Sequence, residues 1–98
     1  LAEGAVCTVV NWSEVAVKVL SRGGDWTAAE AALRGKGLTI VSIEVDDAAA
    51  AARLWLNHPT LSLGDRLCLA VGLRTGTTIL TADRAWTAVS SAVTLVRR

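Results

Sequence analysis

Phenylalanine, tyrosine and methionine are missing from this 98-residue chain, which has one proline, one histidine and two cysteines. Four tryptophans, Trp12, Trp26, Trp55 and Trp86, are its only aromatic residues. Cys7 and Cys68 lie too far apart for the paired spacing of a zinc or redox site, so reduced thiols in a cytoplasmic setting are the simplest expectation, with a single disulfide left open. No apolar run approaches the ~20 residues of a membrane helix, and no basic-then-apolar leader opens the chain, so no membrane association is expected. The chain opens on Leu1, not methionine, so a processed, cleaved or trimmed product is expected. A net charge of +1 excludes the broad electrostatic footprint of tight nucleic-acid binding. Any RNA contact must rest on a metal and a few local arginines.

What is present is apolar content, 52% of residues, much of it alanine, valine and leucine. That is enough for a core and argues against disorder. The length fits one domain, residues 1–98, with no repeat, low-complexity linker or second unit.

Local patterning alternates strands with helices. Val6–Val10 reads as a buried strand. Asn11 then reads as an N-cap, and Trp12, Val15, Ala16 and Val19 form one helical face. Asp25 opens a second helix reaching about Leu33, and Leu38–Ser42 is a second strand. Asp46 is expected to cap an alanine-rich helix carrying Trp55. After the Asn57-His58-Pro59 loop, Ser62 and Asp65 lead into a helix from Arg66 to Arg74, so apolar around its circumference that it should be buried. Gly76 closes it, and Thr77–Thr81 is a third strand. A short helix starts at Asp83, and Val93–Val96 is a last strand. This order predicts an α/β fold with a mostly parallel sheet and helices on both faces.

In such folds ligands gather at the carboxyl ends of the strands, where the following helices begin. Glu14, Asp65 and Asp83 all fall at such helix starts. Convergent carboxylates repel unless a cation lies between them, and Mg2+ or Mn2+ suits oxygen ligands. Such ions assist phosphodiester hydrolysis. Spacing alone favours plain structural roles, because acidic caps are commonplace. Acids complement the helix dipole, Asp65 can share a capping box with Ser62, Asp83 can serve a turn, and Glu14 can pair with Lys18.

The surrounding residues add a resemblance. Val10-Asn11-Trp12-Ser13-Glu14-Val15, Leu61-Ser62-Leu63-Gly64-Asp65-Arg66 and Leu80-Thr81-Ala82-Asp83-Arg84-Ala85-Trp86 resemble, in order, the segments carrying the second, third and fourth acidic residues of PIN-domain ribonucleases of the VapC toxin type. The resemblance implies a three-layer α/β/α fold and a Mg2+- or Mn2+-dependent endoribonuclease, the toxin of a type II toxin–antitoxin pair. Its partners would be RNA, a cognate antitoxin and a second copy of the chain. On this basis Glu14, Asp65 and Asp83 would bind metal, Asn11 and Thr81 would orient carboxylates or water, and Arg66 and Arg84 would touch phosphate or brace the acids. Members of that family open with a strand ending in an aspartate. Nothing before Val6 supplies it, so the central first strand is expected to be missing and this form inactive. The missing piece would have been cleaved, replaced by a swapped strand, or bypassed by direct pairing of its two neighbours.

Two rivals stand beside this reading. One is a non-catalytic PIN-like module, or a remnant, acting through protein partners. The other is a receiver-like phosphoacceptor domain, disfavoured because Arg97-Arg98, with no lysine, follows the last strand. His58 reads as a solvated loop residue, Cys7 and Cys68 as small buried apolar groups, and Trp12, Trp55 and Trp86 as packing residues. Trp26 reads as partly exposed.

Overall fold

The computed structural model describes residues 5–81 and Arg84. The elements run β1 (Val6–Thr8), α1 (Val9–Ser21), α2 (Trp26–Gly35), β2 (Thr39–Val41), α3 (Val45–Leu54) and α4 (Leu63–Thr75). The fold is α/β, with a parallel two-stranded sheet among the described residues. Val6, Cys7 and Thr8 pair with Thr39, Ile40 and Val41. On its other side β1 meets Ile79 in a single parallel bridge, where the Leu80 amide donates to the Val6 carbonyl at 2.7 Å. The strand expected over Thr77–Thr81 is therefore one bridge long. Direct pairing between these two segments is one of the three arrangements the sequence left open. The expected strand Val93–Val96 lies outside the described residues.

Several boundaries differ from expectation for identifiable reasons. The first strand ends at Thr8, because the Thr8 hydroxyl accepts from the Asn11 amide at 3.2 Å and so caps α1. Threonine suits both a strand and a cap, and here it does both. Asn11 is thus inside the first turn, not at its cap. α3 begins one residue before Asp46: Glu44 is its N-cap, and the Asp47 carboxylate accepts from the Glu44 amide at 2.9 Å. α4 starts at Leu63, three residues earlier than expected, with the Ser62 hydroxyl accepting from the Asp65 amide at 3.1 Å. Its far end is closed by Gly76 in the left-handed region at φ 66°, which glycine enters without a Cβ clash. α4 is not buried all round, since Leu63, Leu69 and Leu73 are exposed.

Two apolar clusters hold the elements in place. Cys7, Val15, Val19, Ala29, Leu33 and Leu38 join β1, α1 and α2 to the start of β2, with Trp12 and Trp26 packed against them. Those two rings meet edge-on at 4.9 Å, so Trp26 is half-buried against Trp12, and the Arg34 guanidinium sits 5.6 Å from the Trp12 ring centre. Ala51, Leu67 and Ala70 form the second cluster, between α3 and α4. Beside it the Arg74 guanidinium donates twice to Asp47, at 2.7 and 2.9 Å, tying the two helices together. Trp55, at the C-cap of α3, is exposed, not packed as expected. Among the described residues no helix is long and apolar enough to cross a membrane.

Candidate functional site

α1 leaves the carboxyl end of β1 directly, which puts Asn11 and Glu14 in its first turns at that edge of the sheet. The first turn of α4 lies against them. Asn11 is 0% exposed. Its side-chain amide Nδ2 donates to the Leu80 carbonyl at 3.3 Å, linking α1 to the segment that follows the Ile79 bridge. Its Oδ1 is buried with no hydrogen-bond partner. A buried amide oxygen left unpaired costs about 1–3 kcal/mol, so it is a feature that needs a reason.

The Glu14 carboxylate lies where a side chain on residue 64 would begin, and Asn11 Oδ1 borders the same spot. Asp65, the next residue, is half-buried in the first turn of α4. One turn further on, the Cys68 thiol faces the carbonyls of Ile79 and Leu80, at 3.7 and 3.9 Å. Burial pushes the Cys68 thiol up and Asp65 adds to the rise, while a hydrogen bond from the Asn11 side chain opposes it. Burial likewise pushes Cys7 up to about 12, with smaller contributions from Cys68 and Glu14. Both cysteines are free and buried, consistent with packing roles. Asn11, Glu14, Asp65, Cys7 and Cys68 therefore form one neighbourhood around the end of β1.

The other sequence candidates divide. The Thr81 hydroxyl accepts from the Arg84 amide at 3.4 Å, so it holds a turn, and Arg84 is exposed. Asp83 and Trp86 lie outside the described residues. The Arg66 Nε donates to the Leu61 carbonyl at 3.4 Å and a terminal nitrogen to the Ala51 carbonyl at 2.9 Å. These bonds brace α4 against the end of α3. Among the described residues no three ligand-type side chains gather closely enough to hold a metal ion. A groove between α3 and α4, lined by Asp46, Ala50, Arg53, Leu54, Leu73 and Arg74, contains none of the candidate acids.

Sequence reasoning overlooked Gly64. The available signal was a glycine inside the first turn of a helix, next to an acid, where helix propensity argues for almost any other residue. Residue patterning also gave Asn11 a cap's role, while the resemblance had it orient carboxylates or water; the structure buries it inside α1. The residues present do fit a hard cation. An unpaired buried carbonyl oxygen stands beside the Glu14 carboxylate, with Asp65 next in sequence to the glycine they border, and oxygen donors are what Mg2+ and Mn2+ accept.

No curated protein and no solved structure matches the chain. The family model described as PIN domain matches residues 1–91. With that match over nearly its whole length, and with the helix starts converging at the end of β1, the chain belongs to the PIN domain family.

Proposed function

We propose that the chain is a metal-dependent endoribonuclease that hydrolyses RNA phosphodiester bonds with Mg2+ or Mn2+, as the toxin of a cytoplasmic type II toxin–antitoxin pair. PIN domains are generally nucleases and typically use divalent metals. The observation that carries the finer reading is the unpaired, fully buried Asn11 Oδ1 beside the Glu14 carboxylate. Glu14, Asp65 and Asp83 would hold the ion, directly or through water. When bound, the ion activates water and offsets charge on the phosphate oxygens. Asn11, pinned through Nδ2 to Leu80, orients its oxygen toward Glu14 and any water between them. The Thr81 hydroxyl fixes the approach to Arg84, whose exposed guanidinium suits a phosphate oxygen by a charge-assisted bond. A net charge of +1 fits local contact with RNA better than a broad grip on its backbone.

An antitoxin and a second copy of the chain belong to the same reading. Support for a protein partner comes from the α3–α4 groove, where Leu73 is 76% exposed. The same groove favours the alternative, a non-catalytic PIN-like module acting through partners. A Mn2+ titration followed by electron paramagnetic resonance separates them. Binding should weaken about tenfold or more in Glu14→Gln, Asp65→Asn and Asp83→Asn, as is usual when metal-site groups are removed. A version extended by the family's first strand and its aspartate should cleave single-stranded RNA with Mn2+ and stop in EDTA. Wild-type protein that binds no Mn2+, or variants that bind as tightly as wild type, would leave the non-catalytic module standing.

A further inference from the structure

α4 contains two interior glycines, Gly64 and Gly72. A β-carbon on Gly72 would come within 3.2 Å of the Thr77 carbonyl and 3.4 Å of Ile79 Cγ1, so Gly72 allows the segment after α4 to pack closely. Gly64 differs in kind. A β-carbon there would overlap the Glu14 carboxylate and approach Asn11 Oδ1 to 3.2 Å. The space denied to a side chain at 64 is thus filled by one acidic group and edged by the one buried oxygen that has no partner.

We propose that Gly64 is a positioning residue for the Glu14 carboxylate, holding open the space that lets Glu14 stand beside Asn11 Oδ1 and near Asp65 to receive a divalent cation. The inference rests on the metal-dependent reading above and assigns a residue to it. Its physical content is a contrast between fold and site. The overlapping atoms are the far end of a flexible side chain, so an added methyl group displaces Glu14 and does not break the helix. Alanine is a better helix former than glycine, so the fold should tolerate or prefer it. Metal binding should not.

The test compares Gly64→Ala with Gly35→Ala, which sits in α2 where an added β-carbon meets nothing. Both variants should keep the wild-type far-ultraviolet circular dichroism and unfold at the same or higher urea concentration. Mn2+ binding should be unchanged in Gly35→Ala and weakened about tenfold or more in Gly64→Ala, the scale of supporting-residue losses at metal sites. Without metal, the Asn11 side-chain amide resonances should shift in Gly64→Ala, because its carboxylate neighbour has moved. Glu14→Asp, one methylene shorter, should weaken binding in the wild-type background and restore part of it in Gly64→Ala, a non-additivity that a purely structural role would not produce. Gly64→Ala that binds Mn2+ like wild type overturns the inference while leaving the metal reading intact. A Gly64→Ala chain that does not fold overturns it too, since the overlap would then fall on the rigid Asn11. Wild-type protein that binds no Mn2+ removes the underlying reading, and the inference with it.

Discussion

Asn11→Asp tests the electrostatics of the site directly. The substitution keeps the shape of the side chain, and a protonated carboxyl can donate to the Leu80 carbonyl as the amide Nδ2 now does. An ionised carboxyl, however, would be a fully buried charge beside Glu14. Both burial and the neighbouring acid raise its pKa in the folded state. A group with a raised folded pKa leaves stability untouched below its unfolded value and erodes it as pH rises. The erosion is about 1.36 kcal/mol per pH unit above an ordinary value of about 3.9, so it reaches about 4 kcal/mol at about pH 7 if the group stays protonated throughout. Urea unfolding in EDTA should therefore show Asn11→Asp close to wild type near pH 4 and strongly destabilised near neutrality. Added Mn2+ should recover much of that loss, because a cation stabilises the ionised form. A destabilisation independent of pH would show that the side chain is not held in a buried pocket. A pH-dependent loss that Mn2+ leaves unchanged would refute the cation site.

Other consequences follow from the remaining titrating groups. The native thiols should resist labelling by iodoacetamide and react quickly in urea. With Cys7 raised to about 12, its contribution to stability is intact below the ordinary thiol value and is lost as pH climbs toward about 12. Rapid labelling of the native protein would contradict that burial. The Arg74 guanidinium, aided by the Glu44 amide, holds the Asp47 carboxyl below its usual range. Its stabilising effect is therefore complete above the ordinary carboxylate value of about 3.9 and disappears as pH falls below it. Asp47→Asn should lower the urea midpoint at neutral pH and flatten the acid limb of the midpoint–pH curve, and an unaltered acid limb would disprove the pair's role.

Much of the architecture could be read because it depends on local signals. Asp25 as a cap, the Val15 and Val19 face of α1, and Gly76 as a terminator each follow from residue type and spacing over a few positions. The misread boundaries fall at helix caps. At α1 and α3 the caps, Thr8 and Glu44, lie a few residues before the Asn11 and Asp46 that the sequence suggested, and at α4 Ser62 caps through the Asp65 amide, as the capping-box alternative allowed. At α1, burying Asn11 against Leu80 requires Thr8 to do the capping. The apolar circumference of α4 was misleading for another reason: composition cannot say how much surface other elements cover, and Leu69 and Leu73 face out. Arg66 shows the same limit for a site residue. Its sequence position beside Asp65 is compatible with a phosphate contact, and only the carbonyls of Leu61 and Ala51 reveal where its guanidinium goes.

What the linear pattern conceals most is that two locally unfavourable choices meet at one point. Asparagine in a helix is a weaker choice than alanine by roughly 0.5 kcal/mol, and glycine by about 1 kcal/mol. The chain has only two asparagines; Asn57 sits in a loop, where the residue type is at ease. Asn11 is instead inside α1 with a buried oxygen left unpaired. Gly72 has a packing reason in the Thr77 carbonyl, whereas the space at Gly64 is taken by Glu14. Selection for stability alone would be expected to replace either residue, since neither choice helps its helix. Their coincidence around one carboxylate, from helices far apart in sequence, is the arrangement expected where local stability yields to chemistry. Structural explanations can account for each residue singly, but they supply no reason for the unpaired oxygen and the missing side chain to face the same acid.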